Sequence, residues 1–256
     1  KHDMIKRARN IDPDFAFWDE NFSVTEQSVK EGYNAVIGYQ WSDQHHPDKF
    51  KNMLKRFTTE GFALPFFATA ESHNTPRAVA REGGILYSKY AWALSNFMPA
   101  VPFIHSGFEL GEEYPINTGL DFKKEELINL PSEKLPLFSE YAFDWQNKNQ
   151  IIDWIQNVSA VRKKYYSLII NSSPQSFIWV ETNSIDIIVF IRKSEDVKHQ
   201  LLVIANTNML EKAELKLKIE TQRKAFDDLL SGKSFSFENN MLIGKLYPGQ
   251  VSILLI

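Results

Sequence analysis

Four short stretches of this sequence gather the residue types that acid–base and hydrogen-bond chemistry require. The first is Phe15-Ala16-Phe17-Trp18-Asp19-Glu20-Asn21-Phe22, an aromatic run that ends in two carboxylates. A carboxylic acid held against apolar rings keeps its proton at neutral pH and can donate it to a leaving oxygen. The alternative is that Asp19 and Glu20 only cap the loop that follows. The second stretch, Glu71-Ser72-His73-Asn74-Thr75-Pro76-Arg77, comes directly after the apolar run Leu64–Thr69. An imidazole and an amide can each bond adjacent hydroxyls, as a sugar presents them; a polar turn with Asn74 or Thr75 capping the next helix uses the same residues. The third, His105-Ser106-Gly107-Phe108-Glu109-Leu110-Gly111-Glu112-Glu113, has glycines that suit a tight path near a ligand or another backbone. Glu109 reads as structural there, holding the turn or pairing with Arg77. The fourth is Tyr39-Gln40-Trp41-Ser42-Asp43-Gln44-His45-His46. Adjacent histidines rarely face one site and no metal-ligand spacing accompanies them, so no metal site is expected. Trp41 can stack on the apolar face of a sugar ring or serve as a core tryptophan.

The elements that must position these residues alternate through the first half of the chain. Short apolar runs at Phe15–Trp18, Ala35–Tyr39, Leu64–Thr69 and Val101–His105 alternate with helix-like segments at Met4–Arg9, Val24–Glu31, Pro47–Thr59 and Ala78–Phe97. Strands that are apolar throughout, separated by helices, predict a parallel sheet covered on its faces. Ser23 with Glu26 makes a capping box, and Gly32 and Gly61 close two helices. Periodicity alone leaves open a doubly wound sheet or half of a TIM barrel. The loops after the strands are rich in Asp, Glu, His and Asn, as on the active face of a barrel. No glycine-rich phosphate loop follows any strand, which counts against nucleotide binding.

Residues 117–149 read as a long irregular connection. A helix follows over Gln150–Lys164 with Ile151, Trp154, Ile155, Val158 and Val161 on one face. From about Tyr166 short apolar or alternating runs recur at Phe177–Glu181, Ile185–Ile191, Leu201–Ile204, Ala213–Ile219, Ala225–Leu229 and Val251–Ile256, separated by turn signals. That pattern predicts a small antiparallel all-β domain.

Composition narrows the function classes. The 256 residues are 43% hydrophobic and 24% charged, enough for a sizeable core, and the net charge is −3. Such a balance gives no electrostatic reason to expect nucleic acid or an anionic membrane as partner. No apolar run reaches the ~18 residues of a membrane span. There is no cysteine, hence no disulfide and no thiolate metal site, and the compartment stays open. No cofactor is called for. The sequence opens on Lys1 with Lys1–Asn10 already helical in pattern, as expected of a piece of a longer protein.

Taken in order, these stretches resemble glycoside hydrolase family 13, the α-amylase family. Phe-Trp-Asp-Glu20 stands where the family's fifth barrel strand ends in its general acid/base. Ala35–Tyr39 falls where the sixth strand should be. Ser-His73-Asn74-Thr-Pro-Arg77 stands where the seventh ends in a His-Asp pair, and Ser-Gly107-Phe-Glu109-Leu-Gly111 where the eighth runs into Gly-x-Glu. The tail, from Phe226-Asp227-Asp228 to Pro248-Gly249-Gln250-Val251, looks like the β-domain that ends most members. The run Phe108–Glu113 followed by Pro115 and Asn117 reads closest to the maltosyltransferase branch. The resemblance implies an α/β fold: the second half of a TIM (β/α)8 barrel, strands five to eight, over residues 1–165, and a β-sandwich domain over 166–256.

It also implies a retaining enzyme that hydrolyses or transfers α-1,4-linked glucosyl or maltosyl units of an α-glucan or maltooligosaccharide. Glu20 would be the acid/base and Asn74 would take the place of the family's transition-state carboxylate. His73, Trp41, Arg77 and Glu71 would bind substrate. Two departures follow. The Asp nucleophile belongs on the fourth strand, before Lys1, and Asp3 in helix-like sequence cannot replace it. The partner would then be the missing N-terminal half of the same barrel, and these residues alone would be inactive and prone to self-association through an open strand edge. Asn74 cannot supply negative charge. A non-catalytic carbohydrate-binding or scaffolding protein on a decayed barrel is the alternative from another class, and an unrelated α/β enzyme a third.

Overall fold

Alternation within β6 (Ile187–Ser194), β7 (Val197–Asn206) and β12 (Val251–Leu255) sets the architecture. Ile187, Val189, Leu202, Ile204 and Leu254 point into one apolar cluster; Ile188, Phe190, Leu201, Val203, Ala205 and Ile253 point into another. Side chains on a strand alternate between faces, so a sheet apolar at every position is covered on both sides. This one is the central layer of the molecule.

The computed structural model describes residues 1–21, 26–37, 47–115, 125, 128, 143–194, 197–220 and 225–256. The central sheet runs β12-β7-β6-β5, with β5 at Phe177–Trp179, all antiparallel. On one face lies a second antiparallel sheet, β8-β11-β10-β9, formed by β8 (Ala213–Lys218), β9 (Ala225–Asp227), β10 (Ser234–Glu238) and β11 (Met241–Leu246). β8 buries Ala213, Leu215 and Leu217 and exposes Glu214, Lys216 and Lys218, the half-buried pattern of an outer sheet. β10 and β11 meet at Glu238↔Met241 through Asn239 and Asn240, both at positive φ (51° and 62°), the backbone of a two-residue primed hairpin turn.

The other face of the central sheet carries the first half of the chain. Its helices are α1 (His2–Ile11), α2 (Glu26–Glu31), α3 (Pro47–Glu60) and α4 (Ile85–Asn96), followed by α5 (Ile152–Lys164) and α6 (Tyr166–Ile170). One cluster of buried side chains joins α3, α4 and α5 to β6 and β7, so the two halves share a core. The apolar face expected on α5 is there: Ile151, Ile155 and Val158 are buried, with Trp154 and Val161 packed beside them. From α5, Arg162 reaches the carbonyls of Asn96, Met98 (3.0 Å) and Ala100 (2.6 Å), occupying acceptors that the end of α4 leaves open. Burial pushes its guanidinium down to about 10.

Four two-residue strands lie side by side in chain order: β1 (Trp18–Asp19), β2 (Ala35–Val36), β3 (Phe67–Ala68) and β4 (Val101–Pro102). β1 pairs with β2 and β3 with β4, both parallel, and a parallel bridge Val36↔Phe66 joins the two pairs. The parallel order matches the expectation, though the ladders are shorter. The helix expected over Ala78–Phe97 is interrupted. A 3-10 turn at Ala78–Ala80 is separated from α4 by Gly83 and Gly84 at φ 92° and 54°, a conformation that ends a right-handed helix. Gly32 and Gly61 close α2 and α3 as expected, also at positive φ. Ser23 and most of the 117–149 connection lie outside the described residues.

Candidate functional site

The loops that follow β1, β3 and β4 leave the same ends of parallel neighbours, so their side chains can meet. Glu20 comes directly after β1, and His73 and Asn74 sit in the loop after β3. The His73 Nε2 and Glu20 Oε1 atoms are 3.7 Å apart, with side chains 50% and 59% exposed. Two groups from different strands thus face each other in an open position. The apolar surroundings expected for the Glu20 carboxyl are not built by the described residues. Trp18 packs edge-on against Phe67 (5.0 Å), and Phe15 and Phe17 pack on each other (5.0 Å). Asp19 accepts a bond from Ser28 on α2 (2.7 Å), which ties β1 to that helix.

Beneath the open pair lies a buried one. Glu71 and Arg77 bracket the loop after β3, are 2% and 1% exposed, and meet at 2.5 Å. The second oxygen of Glu71 accepts the Ala78 amide (2.6 Å), so its carboxylate also caps the 3-10 turn. Arg77 Nε donates to the Tyr114 carbonyl (2.8 Å) and Nη1 to the Ser106 carbonyl (2.8 Å), tying the loop after β3 to the loop after β4. His105 Nδ1 lies 3.1 Å from Arg77 Nη1 and 3.3 Å from Glu71 Oε1. Nδ1 can accept from Arg77 Nη1 in one ring tautomer or donate to Glu71 Oε1 in the other, so either way His105 joins the pair. Within the loop, the Ser72 amide donates to Thr75 Oγ1 (2.9 Å) and the Asn74 amide to Ser72 Oγ (3.2 Å).

Of the residues singled out from sequence, Glu20 and His73 come together, with Asn74 adjacent to His73 in the same loop. Glu71 and Arg77 face inward and satisfy each other rather than the open site. Glu109 holds its turn by accepting the Gly107 amide (3.1 Å); the carboxylate that pairs with Arg77 is Glu71. Gly107 sits at φ 92°, where a Cβ would come within 2.8 Å of Phe143 and 3.1 Å of Arg77 Nη2, so the close approach read from its type is to protein. Trp41, His45 and His46 lie outside the described residues. His105 and Tyr114 complete the network and were not singled out for it. A His ending a strand and a carbonyl 37 residues from Arg77 carry no local sequence signal.

No family model matches the sequence, and no curated protein does. Solved structures do resemble the chain. An α-amylase from Anoxybacillus superposes with a TM-score of 0.73 at 16% identity, over 99% of this chain and 55% of its own. The fold of this chain resembles that part of the α-amylase structure. An α-amylase from Geobacillus thermoleovorans, solved with acarbose, gives 0.70 at 13% identity over 99% and 56%. Trehalose-6-phosphate hydrolase from Bacillus licheniformis gives 0.69 at 14% over 99% and 59%. The chain spans a little more than half the length of these enzymes.

Proposed function

We propose that this chain is the C-terminal half of a retaining enzyme of the α-amylase type. Its four parallel strands would be strands five to eight of a (β/α)8 barrel, residues 1–165, with a β-sandwich domain over 166–256. The observation that carries the reading is the approach of Glu20 and His73 at 3.7 Å from the loops that follow β1 and β3. A proton donor beside a hydrogen-bonding imidazole in an open site suits a glycosidic oxygen and its adjacent hydroxyl. Resemblance to α-glucan-processing structures over nearly the whole chain, one of them holding acarbose, supports the same class of substrate.

In this reading Glu20 protonates the leaving oxygen of an α-1,4-linked glucosyl or maltosyl unit. It then takes a proton from the incoming water or sugar hydroxyl, and the second arrival sets hydrolysis against transfer. His73 bonds a hydroxyl of the sugar being cleaved, and Asn74 bonds another from the same loop. Trp41 offers a stacking face. Glu71 and Arg77 are positioning residues, holding the His73 loop against the loop after β4 without touching sugar. The carboxylate nucleophile, about 5 Å from the acid/base in retaining enzymes, comes from a partnering half-barrel outside these 256 residues. The maltosyltransferase branch remains our finer placement, on the Phe108–Glu113 run.

A second reading, a saccharide-binding protein without turnover, rests on Asn74, an amide where the family resemblance implies a carboxylate. The experiment is maltooligosaccharide turnover and binding by the protein as its gene encodes it, with and without Glu20→Gln. The enzyme reading expects turnover that the substitution abolishes while binding persists. Binding with no turnover in the unsubstituted protein selects the second reading.

A further inference from the structure

A groove separate in its elements from the Glu20–His73 loops runs between α3 and the start of the β-sandwich. Its wider part, a cleft of 610 Å³, is lined by Lys55 and Thr58 from α3, by Gln175 and Trp179 around β5, and by Glu181 and Lys193. At Gln175 and Lys193 it continues into a smaller hollow of 140 Å³, which adds the Asn171 amide and the hydroxyls of Ser173 and Ser194. The wider part falls within the size range of small-molecule sites.

One wall of this groove is fixed in advance. The Ser173 amide donates to Asn171 Oδ1 (3.0 Å), and Ser176 Oγ sits 2.7 Å from the carbonyls of both Asn171 and Ser173. The Phe62 amide donates to Ser172 (2.8 Å), and a Cβ on Gly61 would come within 2.7 Å of the same carbonyl. Below the wall, buried Arg192 donates to the carbonyls of Ile169 (3.0 Å) and Asn171 and lies beside the rings of Phe62 (5.7 Å) and Phe177 (5.6 Å). A wall ordered without ligand lowers the entropy lost on binding.

The lining points to one class of ligand. An indole supplies a flat apolar surface, and an amide pair with three hydroxyls supplies both donors and acceptors around it. A pyranose ring offers the complement: an apolar C–H face edged with hydroxyls. A phosphate would need concentrated positive charge, but Lys55 is paired with Glu181 at 2.8 Å, which leaves Lys193 against a lining otherwise of neutral amides, hydroxyls and an indole. The Lys55 ammonium lies 5.4 Å from the centre of the Trp179 indole. The two side chains of that ion pair are 45% and 72% exposed, and exposed pairs are weak, so a sugar can displace the ammonium from the ring.

We infer that this groove is a second saccharide-binding site, which holds a neutral oligosaccharide against Trp179 and Gln175 away from the reacting bond. That the sugar is an α-glucan rests on the proposed function; the groove itself asks only for a polyhydroxylated ring. The site tethers a polymer and leaves the chemistry to the Glu20 face.

The test is retardation in a native gel containing soluble starch, with the protein as its gene encodes it and its Trp179→Ala and Gln175→Ala variants, alongside turnover of maltotriose. Trp179→Ala is expected to weaken starch affinity about tenfold and Gln175→Ala about threefold, as truncating an anchor and a neighbouring polar contact does. Maltotriose turnover stays unchanged in both. Gln175 is an exposed residue, so its variant keeps the test open if Trp179→Ala fails to fold. Unchanged retardation in Gln175→Ala and in a folded Trp179→Ala, with the parent protein retarded, overturns the groove and leaves the α-glucan reading standing. A parent protein neither retarded by starch nor active on maltotriose overturns both.

Discussion

Two sheets in this molecule are built from similarly apolar strands and end in opposite states. The central antiparallel sheet is covered on both faces, and Val189, Phe190, Val203 and Ile204 are completely buried. Among the described residues the parallel strands are covered less completely. Val36, Phe66 and Ala68 are buried, but Trp18, Phe103 and Ile104 on and beside β1 and β4 are 57%, 38% and 44% exposed. Trp18, Phe67 and Phe103 pack edge to face at 5.0 Å, a row of rings with its ends in solvent. Apolar surface of that extent is costly to leave in water, roughly 25 cal/mol for each Å². The central sheet is covered by the outer sheet on one face and by α3, α4 and α5 on the other; among the described residues the parallel strands keep several rings in solvent.

Breaking the buried ion pair should have the largest effect on this contrast. Arg77→Met leaves Glu71 charged and 2% exposed, and should cost about 3–5 kcal/mol in urea unfolding while loosening the loops after β3 and β4. A cost below 1 kcal/mol would mean that the pair does not fix the loop face. Leu202→Ala, in the middle of the central sheet, should cost about 3 kcal/mol by cavity formation. Asp228→Ala comes next. Its carboxylate accepts the amides of Leu230 (3.1 Å) and Ile253 (2.9 Å) and the Ser231 hydroxyl (2.6 Å), joining the two sheets of the sandwich, and the loss should be about 2 kcal/mol. The smallest effect is expected at Trp18→Ala in residues 1–256, under about 1 kcal/mol, because more than half of its surface is already in solvent. A severe loss there would mean that the open face is closed by something else, such as a second copy, and sedimentation would show it.

The same contrast explains what was legible in the sequence. The central sheet could be read because Ile187–Ile191 and Leu201–Ala205 are apolar at every position, and its turns carry Asn, Ser and Gly. The outer hairpin Ser234–Leu246 was not read as strands, because Ser, Glu, Gly and Lys interrupt its apolar residues. Its one clear mark is Asn239-Asn240, a pair that tolerates the positive φ of a tight turn. The helix before β4 was drawn through Gly83-Gly84, whose backbone stops it. At the site, the strand ends located Glu20, His73 and Asn74 correctly in the loops. The partner of Arg77 could not be read, since Glu71 and Glu109 are both carboxylates in motif loops and only packing chooses between them. The apolar packing around Glu20 was inferred from neighbours in sequence, and those rings pack on Phe67 and on one another instead, leaving the carboxyl exposed.

The most direct test of the central claim is single-turnover cleavage of a maltooligosaccharide by the protein as its gene encodes it, compared with its Glu20→Gln variant. General acid–base catalysis contributes about 10²–10⁴-fold, so the account expects a fall of that size with substrate still bound. Cleavage at an unchanged rate in the Glu20→Gln variant would contradict it.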